Sequence, residues 1–340
     1  MQNSNLNRRQ FIRLNATALA GAAIAPGVII REKQGTLTLG KDDNLNRPPG
    51  FYRFGLGDLK ITVINDGFFH LSEITPPDIR PIEALAYNTT EDRRQEFFGS
   101  HLLYSDDPRI HISPIIIESC DRTVLVDSGW SMPGASDSAG RLGSSLEMLG
   151  ISRESIDTVV VTHAHPDHVG LADPDTGVPI YPNAEVVISE DELAFWTSDA
   201  AAPLLDNPVF EWIPNVFEAL DGQFRIIKAG DEVLTGIRSI PSPGHTPGHI
   251  SLGIEAGGRE LLLTGDAIVN THTVFERPDW HNFFDLDREQ AGLTRRKLLD
   301  RAATDEMLIL GYHLPFPGIG YALRFGDVYR WHAAGATLLP

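Results

Sequence analysis

The chain has 340 residues, 42% hydrophobic and 22% charged, proportions that allow a sizeable core and exclude a globally disordered chain. Lys and Arg number 28 against 46 Asp and Glu, and the net charge of −18 disfavours nucleic acid and anionic membrane surfaces as partners. The single cysteine, Cys120, excludes an intrachain disulfide; beside the apolar run 115–117 it reads as a small buried hydrophobe.

Residues 1–25 read as an export signal. Arg8 and Arg9 precede Phe11, and a short apolar run rich in Ala and Gly follows, a pattern of the twin-arginine type. That run is too short to span a membrane. The expected location is therefore periplasmic or secreted. Residues 26–50, polar from Gly35 and ending in Pro48-Pro49-Gly50, read as a linker or N-terminal arm. A single domain is expected over 51–340. It begins with a strand at 58–65 closed by a tight turn at Asp66-Gly67. A helix is expected near 90–98, then strands at 115–117 and 123–126 joined at Asp121-Arg122, and a short helix at 144–149. Val159-Val160-Val161 marks a buried strand over 156–162. Another strand covers 184–188. Ser189 with Glu192 three residues on predicts a capping box opening a helix at 190–197. A helical stretch follows at about 209–220. Short strands are expected at 225–228, 232–240, 249–254 and 260–264, with Gly257-Gly258 turning between the last two. Asp287 opens the longest helix, to about 303, and 307–310 is the final strand. Strands outnumber helices and many are sequential neighbours, which favours mixed sheets covered by helices over a parallel Rossmann sheet.

The chemistry concentrates in Thr162-His163-Ala164-His165-Pro166-Asp167-His168. It directly follows the buried strand. His163 and His165, two apart in extended backbone, share a side. Pro166 bends the chain, so Asp167 and His168 approach from another direction. Three imidazoles and a carboxylate suit Zn²⁺, and one cation does not readily take all four from so short a loop. His245 lies in the rigid turn Pro243-Gly244-His245-Thr246-Pro247-Gly248; Asp266 and His313 each follow an apolar strand. The repeated pattern, apolar strand and then a ligand-type residue, carries more weight than any single position. A lone His or Asp after a strand, Asp127 included, is more often a turn or hydrogen-bonded residue.

In order and placement, Asp127, the His163, His165, Asp167, His168 cluster, His245, Asp266 and His313 resemble the motifs of the metallo-β-lactamase fold superfamily. Within it, 51–54, Asp66-Gly67, Gly248-His249 and Leu314-Pro315-Phe316-Pro317-Gly318 are most similar to the branch of methyl parathion hydrolase and N-acyl-homoserine lactonases. Tyr321 departs from the His expected after Gly320 in that branch. The resemblance implies an α/β (α+β) fold, a four-layer αβ/βα sandwich of two mixed sheets flanked by helices. It also implies two divalent metal ions per chain, Zn²⁺ before others. One is held by His163, His165 and His245, the other by Asp167, His168 and His313, with Asp266 bridging and Asp127 standing behind the ligands. His249 and His272 are further candidates for a place behind the ligands.

The chemistry so implied is hydrolysis of a small lactone, ester or phosphotriester by a metal-bridging hydroxide, with Asp167 and Asp266 in catalytic parts. Phe68, Trp130 and Trp280 are the expected substrate-pocket residues, with Phe195, Trp196, Phe283 and Phe284 as further aromatic candidates. A glyoxalase II-like thioester hydrolase and an iron-dependent oxidoreductase of the same fold are the alternatives. The expected partner is a small molecule, with no nucleic acid and no stable membrane insertion; a homodimer is left open.

Overall fold

A computed structural model of the chain describes residues 31–33, 36–38, 50–103, 105–130, 138–173 and 175–334. The expected export signal, 1–25, lies outside them. Contacts divide the chain into Met1–Pro48 and Pro49–Pro340. In the first unit, within the stretch read as an arm, Arg31–Lys33 pairs antiparallel with Thr36–Thr38.

The second unit holds two seven-stranded mixed sheets. The first runs, edge to edge, through Phe224–Ile227, Glu185–Ser189, Thr158–Val160, Thr123–Val126, Ile115–Glu118, Leu59–Ile64 and Phe51–Leu56. Its first four strands are parallel neighbours and the rest antiparallel. The second runs through Glu232–Leu234, Ile237–Pro241, Ile250–Ala256, Arg259–Leu263, Leu308–Leu310, Ile319–Phe325 and Val328–Ala333. Its one parallel pair is Arg259–Leu263 with Leu308–Leu310.

Strands apolar on both faces need cover on both, and the alternation of their side chains supplies three apolar layers. Ile115, Ile117, Val124 and Val126 meet Leu261, Leu263, Leu308 and Leu310 between the sheets. The intervening Ile116 and Leu125 point outward, where Leu142, Leu146, Trp196 and Val216 of the helices Leu142–Leu149, Glu190–Trp196 and Ile213–Ala219 cover them. On the far side, Leu262 and Ile309 are covered by Val274 and Phe275 and by Leu298, Leu299 and Ala302 of the long helix Arg288–Thr304. Three buried layers between two sheets and two helical coats make the four-layer sandwich. Each fully buried Leu, Ile or Val contributes about 1.5–3 kcal/mol of transfer free energy.

The helix termini follow their sequence signals. Asp287 caps the long helix by accepting from Gln290 N–H at 3.0 Å. Gly150, at φ 70°, closes Leu142–Leu149 in the left-handed conformation.

Four expectations are corrected. Leu308–Leu310 is not the last strand: the hairpin Ile319–Phe325/Val328–Ala333 extends the second sheet beyond it. Cys120 is exposed, because it lies in the turn from Ser119 to Arg122 and not on either flanking strand. Asp66-Gly67 is a corner and not a hairpin turn. Gly67, at φ 135°, starts the strand Gly67–His70, and buried Asp66 accepts from the N–H groups of Trp130, Gly140 and Leu142. Only half of the capping box forms: Ser189 Oγ accepts from Glu192 N–H at 3.2 Å, while the Glu192 carboxylate turns inward.

Among the described residues no helix is long and apolar enough to cross a membrane.

Candidate metal centre

Parallel neighbours end at the same edge of a sheet, and here two such pairs end in ligand-type residues. Val126 leads into Asp127 and Val160 into the histidine loop; Leu263 leads into Asp266 and Leu310 into His313. His245 comes from the turn between Ile237–Pro241 and Ile250–Ala256.

All seven expected ligand residues are brought together. His163, His165, His245 and Asp266 form one buried cluster, and Asp167, His168 and His313 a second, with the potential ligand atoms of each within 4.8 Å of one another. Asp266 stands between them. Its Oδ2 lies 3.2 Å from His245 Nε2, 3.0 Å from His313 Nε2 and 3.8 Å from His163 Nε2, and its Oδ1 lies 3.2 Å from His168 Nε2. Asp167 Oδ2 is 3.3 Å from His313 Nε2.

Buried polar atoms are nearly always hydrogen-bonded. Here His163 Nε2, His168 Nε2, Asp167 Oδ2 and Asp266 Oδ1 are buried with no hydrogen-bond partner, and all four face the same small volume. Orphaned imidazole nitrogens and carboxylate oxygens at this density fit a pair of cations.

Polar contacts behind the clusters fix the rings. His168 Nδ1 lies 2.8 Å from Asp127 Oδ2, and Asp127 also accepts from Thr162 N–H at 2.8 Å and Thr162 Oγ1 at 2.9 Å. Asp127 reaches them from a left-handed backbone, φ 55°. His313 Nδ1 donates to His111 O at 2.5 Å, which leaves Nε2 for the site. His249 stands beside Asp266: its Nε2 accepts from Asp266 N–H at 3.0 Å and its Nδ1 donates to Ser242 Oγ at 2.8 Å. Gly265, at φ 50°, lets that ring approach, since a Cβ there would lie 2.7 Å from His249 Nε2. His272 instead packs on His101, ring centroids 5.1 Å apart.

Charge follows this geometry. Burial depresses the imidazolium forms of His163 and His165, and neighbouring histidines add to it. Burial pulls His168 and His245 down too, but Asp266 with Asp167 and Asp127 outweighs it for His168, and Asp266 with Asp285 raises His245 to about 9. Burial disfavours the Asp266 carboxylate, yet His313, His168, His163 and His245 hold its pKa well below the ordinary value.

Two participants were not legible. Asp285 Oδ1 faces His245 Nδ1 at 3.0 Å, and its other oxygen pairs with the buried Arg295. Nothing in the stretch 280–288 marks this acid among its aromatic neighbours. Glu192 is buried against the ligand loops; its half of the capping motif was the only signal, and it pointed to the helix instead.

A cavity of about 420 Å³ opens over the centre. Trp130 lines it, with Phe69, Leu71, Ile110, Phe210 and Phe283. Phe68 does not: successive strand residues face opposite ways, and it stacks under Arg109 at 4.5 Å while Phe69 turns inward. Trp280 packs on Phe97, ring centroids 5.1 Å apart, outside the lining. Of the further aromatic candidates, Phe283 and Phe284 line the cavity and Phe195 and Trp196 do not.

Residues 108–313 match the profile of the Metallo-beta-lactamase superfamily. A probable metallo-hydrolase of Mycobacterium tuberculosis is 28% identical over 47% of this chain and 57% of its own length. The N-acyl homoserine lactonase AiiB of Agrobacterium fabrum is 29% identical over 46% of this chain and 63% of its own. The matches thus span about three fifths of these relatives. Among solved structures, AidC, a dizinc quorum-quenching lactonase, superposes with a TM-score of 0.76 at 24% identity, covering 84% of this chain and 98% of its own.

Proposed function

Since the chain belongs to the metallo-beta-lactamase superfamily, we propose that it is a dinuclear metal-dependent hydrolase acting on a small, neutral, largely apolar lactone, ester or phosphotriester. The observation that carries this reading is the set of four orphaned, buried ligand-type atoms beside an apolar cavity that Asp167 and Asp266 line. His163, His165 and His245 would hold one cation, Asp167, His168 and His313 the other, with Asp266 shared. Two divalent cations there supply a Lewis acid and an activated water of pKa near about 7.

The remaining work falls to the chain's own groups. Asp127, Asp285 and the His111 carbonyl fix which nitrogen each of His168, His245 and His313 presents. Asp167 and Asp266 offset the cation charge. Asp167, which also lines the cavity, is placed to pass a proton to the departing oxygen. Phe69, Leu71, Ile110, Trp130, Phe210 and Phe283 exclude water and favour an acyl chain or aryl group over a charged one. The dizinc lactonase with the same fold and the lactonase among the sequence relatives support the lactone within this range. Export by the twin-arginine route belongs to the same proposal, carried by Arg8, Arg9 and the apolar run after them.

The test is a screen of lactone, aryl ester, phosphotriester and glutathione thioester with purified protein whose metal content is measured on the same sample. Turnover of a neutral lactone, ester or phosphotriester with about two ions per chain supports the reading. Turnover of the thioester alone, or bound iron with oxygen consumption, overturns it.

A further inference from the structure

We infer that Glu192 is a positioning residue that holds the two loops bearing His163, His165 and His245 at a fixed separation, and so sets the affinity of the cation those three histidines would share. The inference rests on the metal-centre reading above.

Glu192 is fully buried. A carboxylate so placed is stable only if its lone pairs are filled. Oε1 accepts from Ala164 N–H at 2.8 Å and Trp196 Nε1–H at 2.8 Å; Oε2 accepts from Thr246 Oγ1–H at 2.6 Å and Gly248 N–H at 3.1 Å. Ala164 sits between His163 and His165, and Thr246 directly follows His245. One carboxylate therefore clamps both loops, a different oxygen to each. The two loops come from opposite sheets, and beside the clamp Ile250 N–H donates to Thr162 O at 3.0 Å and His245 Nε2 lies 2.9 Å from His165 Nδ1.

Two neighbours lock the arrangement. Ser189 Oγ donates to Gly248 O at 2.6 Å while it caps the helix that carries Glu192. Gly248 approaches so closely that a Cβ there would lie 1.9 Å from Glu192 N. The residues the clamp touches adjoin the ligand-type histidines of one cluster. Behind His168 and His313 stand Asp127 and the His111 carbonyl, and neither touches Glu192.

Three of the four neighbours are fixed N–H donors, and only the Thr246 hydroxyl can turn to accept, so Gln does not reproduce Glu here. Whichever way the amide is turned, its NH2 meets at least one N–H, that of Ala164 or that of Gly248, and one loop loses that acceptor. Loss of such outer contacts typically weakens a metal site roughly 10–100-fold.

The test is chelator competition with Zn²⁺ on the full chain, resolving two binding steps, for wild type and Glu192→Gln, with thermal unfolding of the metal-free proteins alongside. The expected result is one step weakened by about 10-fold or more while the other stays within about threefold. Cobalt(II) spectra assign the weakened step through its imidazole-rich ligand set. Two unchanged steps, or two steps weakened alike in proportion to a lower melting temperature, overturn the inference. If Glu192→Gln does not fold, Thr246→Val carries the test: it keeps the side-chain volume, removes one donor, and is expected to weaken the same step several-fold. A wild-type protein that binds no Zn²⁺ would sink the metal-centre reading itself, which keeps the two failures distinct.

Discussion

Asp285 joins His245 to Arg295: one carboxylate oxygen faces the imidazole Nδ1 at 3.0 Å, and the other pairs with a guanidinium buried beneath it. This leaves His245 Nε2 toward Asp266 and couples a ligand-type histidine to the middle of the long helix. Arg295 holds Asp285 below the ordinary carboxylate range despite burial, and His245 adds to that effect. Asp285→Ala removes both functions. It leaves Arg295 as an uncompensated buried charge, a loss of about 3–5 kcal/mol. The double variant Asp285→Ala/Arg295→Met is expected to regain most of that stability in urea unfolding, but not the roughly 10–100-fold loss of metal affinity. Recovery of metal affinity in the double variant would show that Asp285 serves the fold alone.

The register of the strand Gly67–His70 decides which Phe faces the cavity. Phe69 lines the cavity and packs on Trp130, ring centroids 5.3 Å apart; Phe68 points away, under Arg109. Phe69→Ala is expected to lower kcat/KM for a medium-chain acyl lactone by about 10-fold or more, since pocket apolar contacts contribute on the order of 1–3 kcal/mol per group. Phe68→Ala is expected to leave kcat/KM within about twofold and to cost about 0.5–1 kcal/mol of stability through the lost cation–π contact. Equal effects of the two substitutions on kcat/KM would contradict the observed facing.

The same pair shows what could be read from the chain and what could not. The ligand-type residues were legible because apolar strands punctuated by His and Asp carry chemistry and position together, and mixed sheets under helices were legible because strands outnumber helices and many are sequential neighbours, while the four layers came from the resemblance alone. Phe68 follows a strand end near the ligand loops, which makes it the pocket candidate, but a one-residue slip in register exchanges the two faces and no local pattern fixes it. Asp285 was not seen because its partner lies 40 positions away. Glu192 carries only a helix-start signal, and a carboxylate that caps a helix is indistinguishable there from one that reaches across to another loop. The last hairpin carries no clear signal because its exposed positions mix Leu323 and Phe325 with Arg324 and Arg330, which breaks the alternation, and its strands lead into no ligand-type residue.

Metal uptake is expected to release protons. In the metal-free protein His245 has its pKa raised from 6.5 to about 9: burial lowers it, but Asp266 and Asp285 outweigh that. His168 and His313 shift upward as well, burial again being outweighed by Asp266 and its neighbours. A cation must displace these protons, so apparent affinity rises with pH from 6.5 toward about 9, where His245 no longer contributes. The sign for folding is opposite. A histidine whose folded pKa lies above its unfolded value stabilises fully below 6.5, and that contribution is lost as pH rises through about 9. Metal-free protein should therefore lose this part of its stability across the window in which metal binding strengthens. Calorimetric titration of Zn²⁺ at pH 7 in buffers of different ionisation enthalpy measures the release directly. A binding enthalpy that does not change with the buffer would refute it.

Asp127 gives the complementary test to Glu192, because the ligand-type ring it touches directly is His168 of the other cluster, while it reaches His163 only through the Thr162 hydroxyl, 3.1 Å from His163 Nδ1. Oδ2 faces His168 Nδ1 and accepts from the Thr162 hydroxyl, while Oδ1 accepts from Thr162 N–H. All of these are donors when His168 presents Nε2 to a cation. Asp127→Asn must therefore turn an NH2 toward one of them. Asn tolerates the left-handed conformation found at φ 55°, so the backbone should hold and the change should isolate the hydrogen bonds. Asp127→Ala adds the backbone cost, roughly 1–2 kcal/mol. In Zn²⁺ competition Asp127→Asn is expected to weaken the step of the cation held by Asp167, His168 and His313 by about 10–100-fold. That step is the one Glu192→Gln should spare. If both variants weaken the same step, the two cations do not have separate supports, and the division of Asp266 between two clusters is wrong.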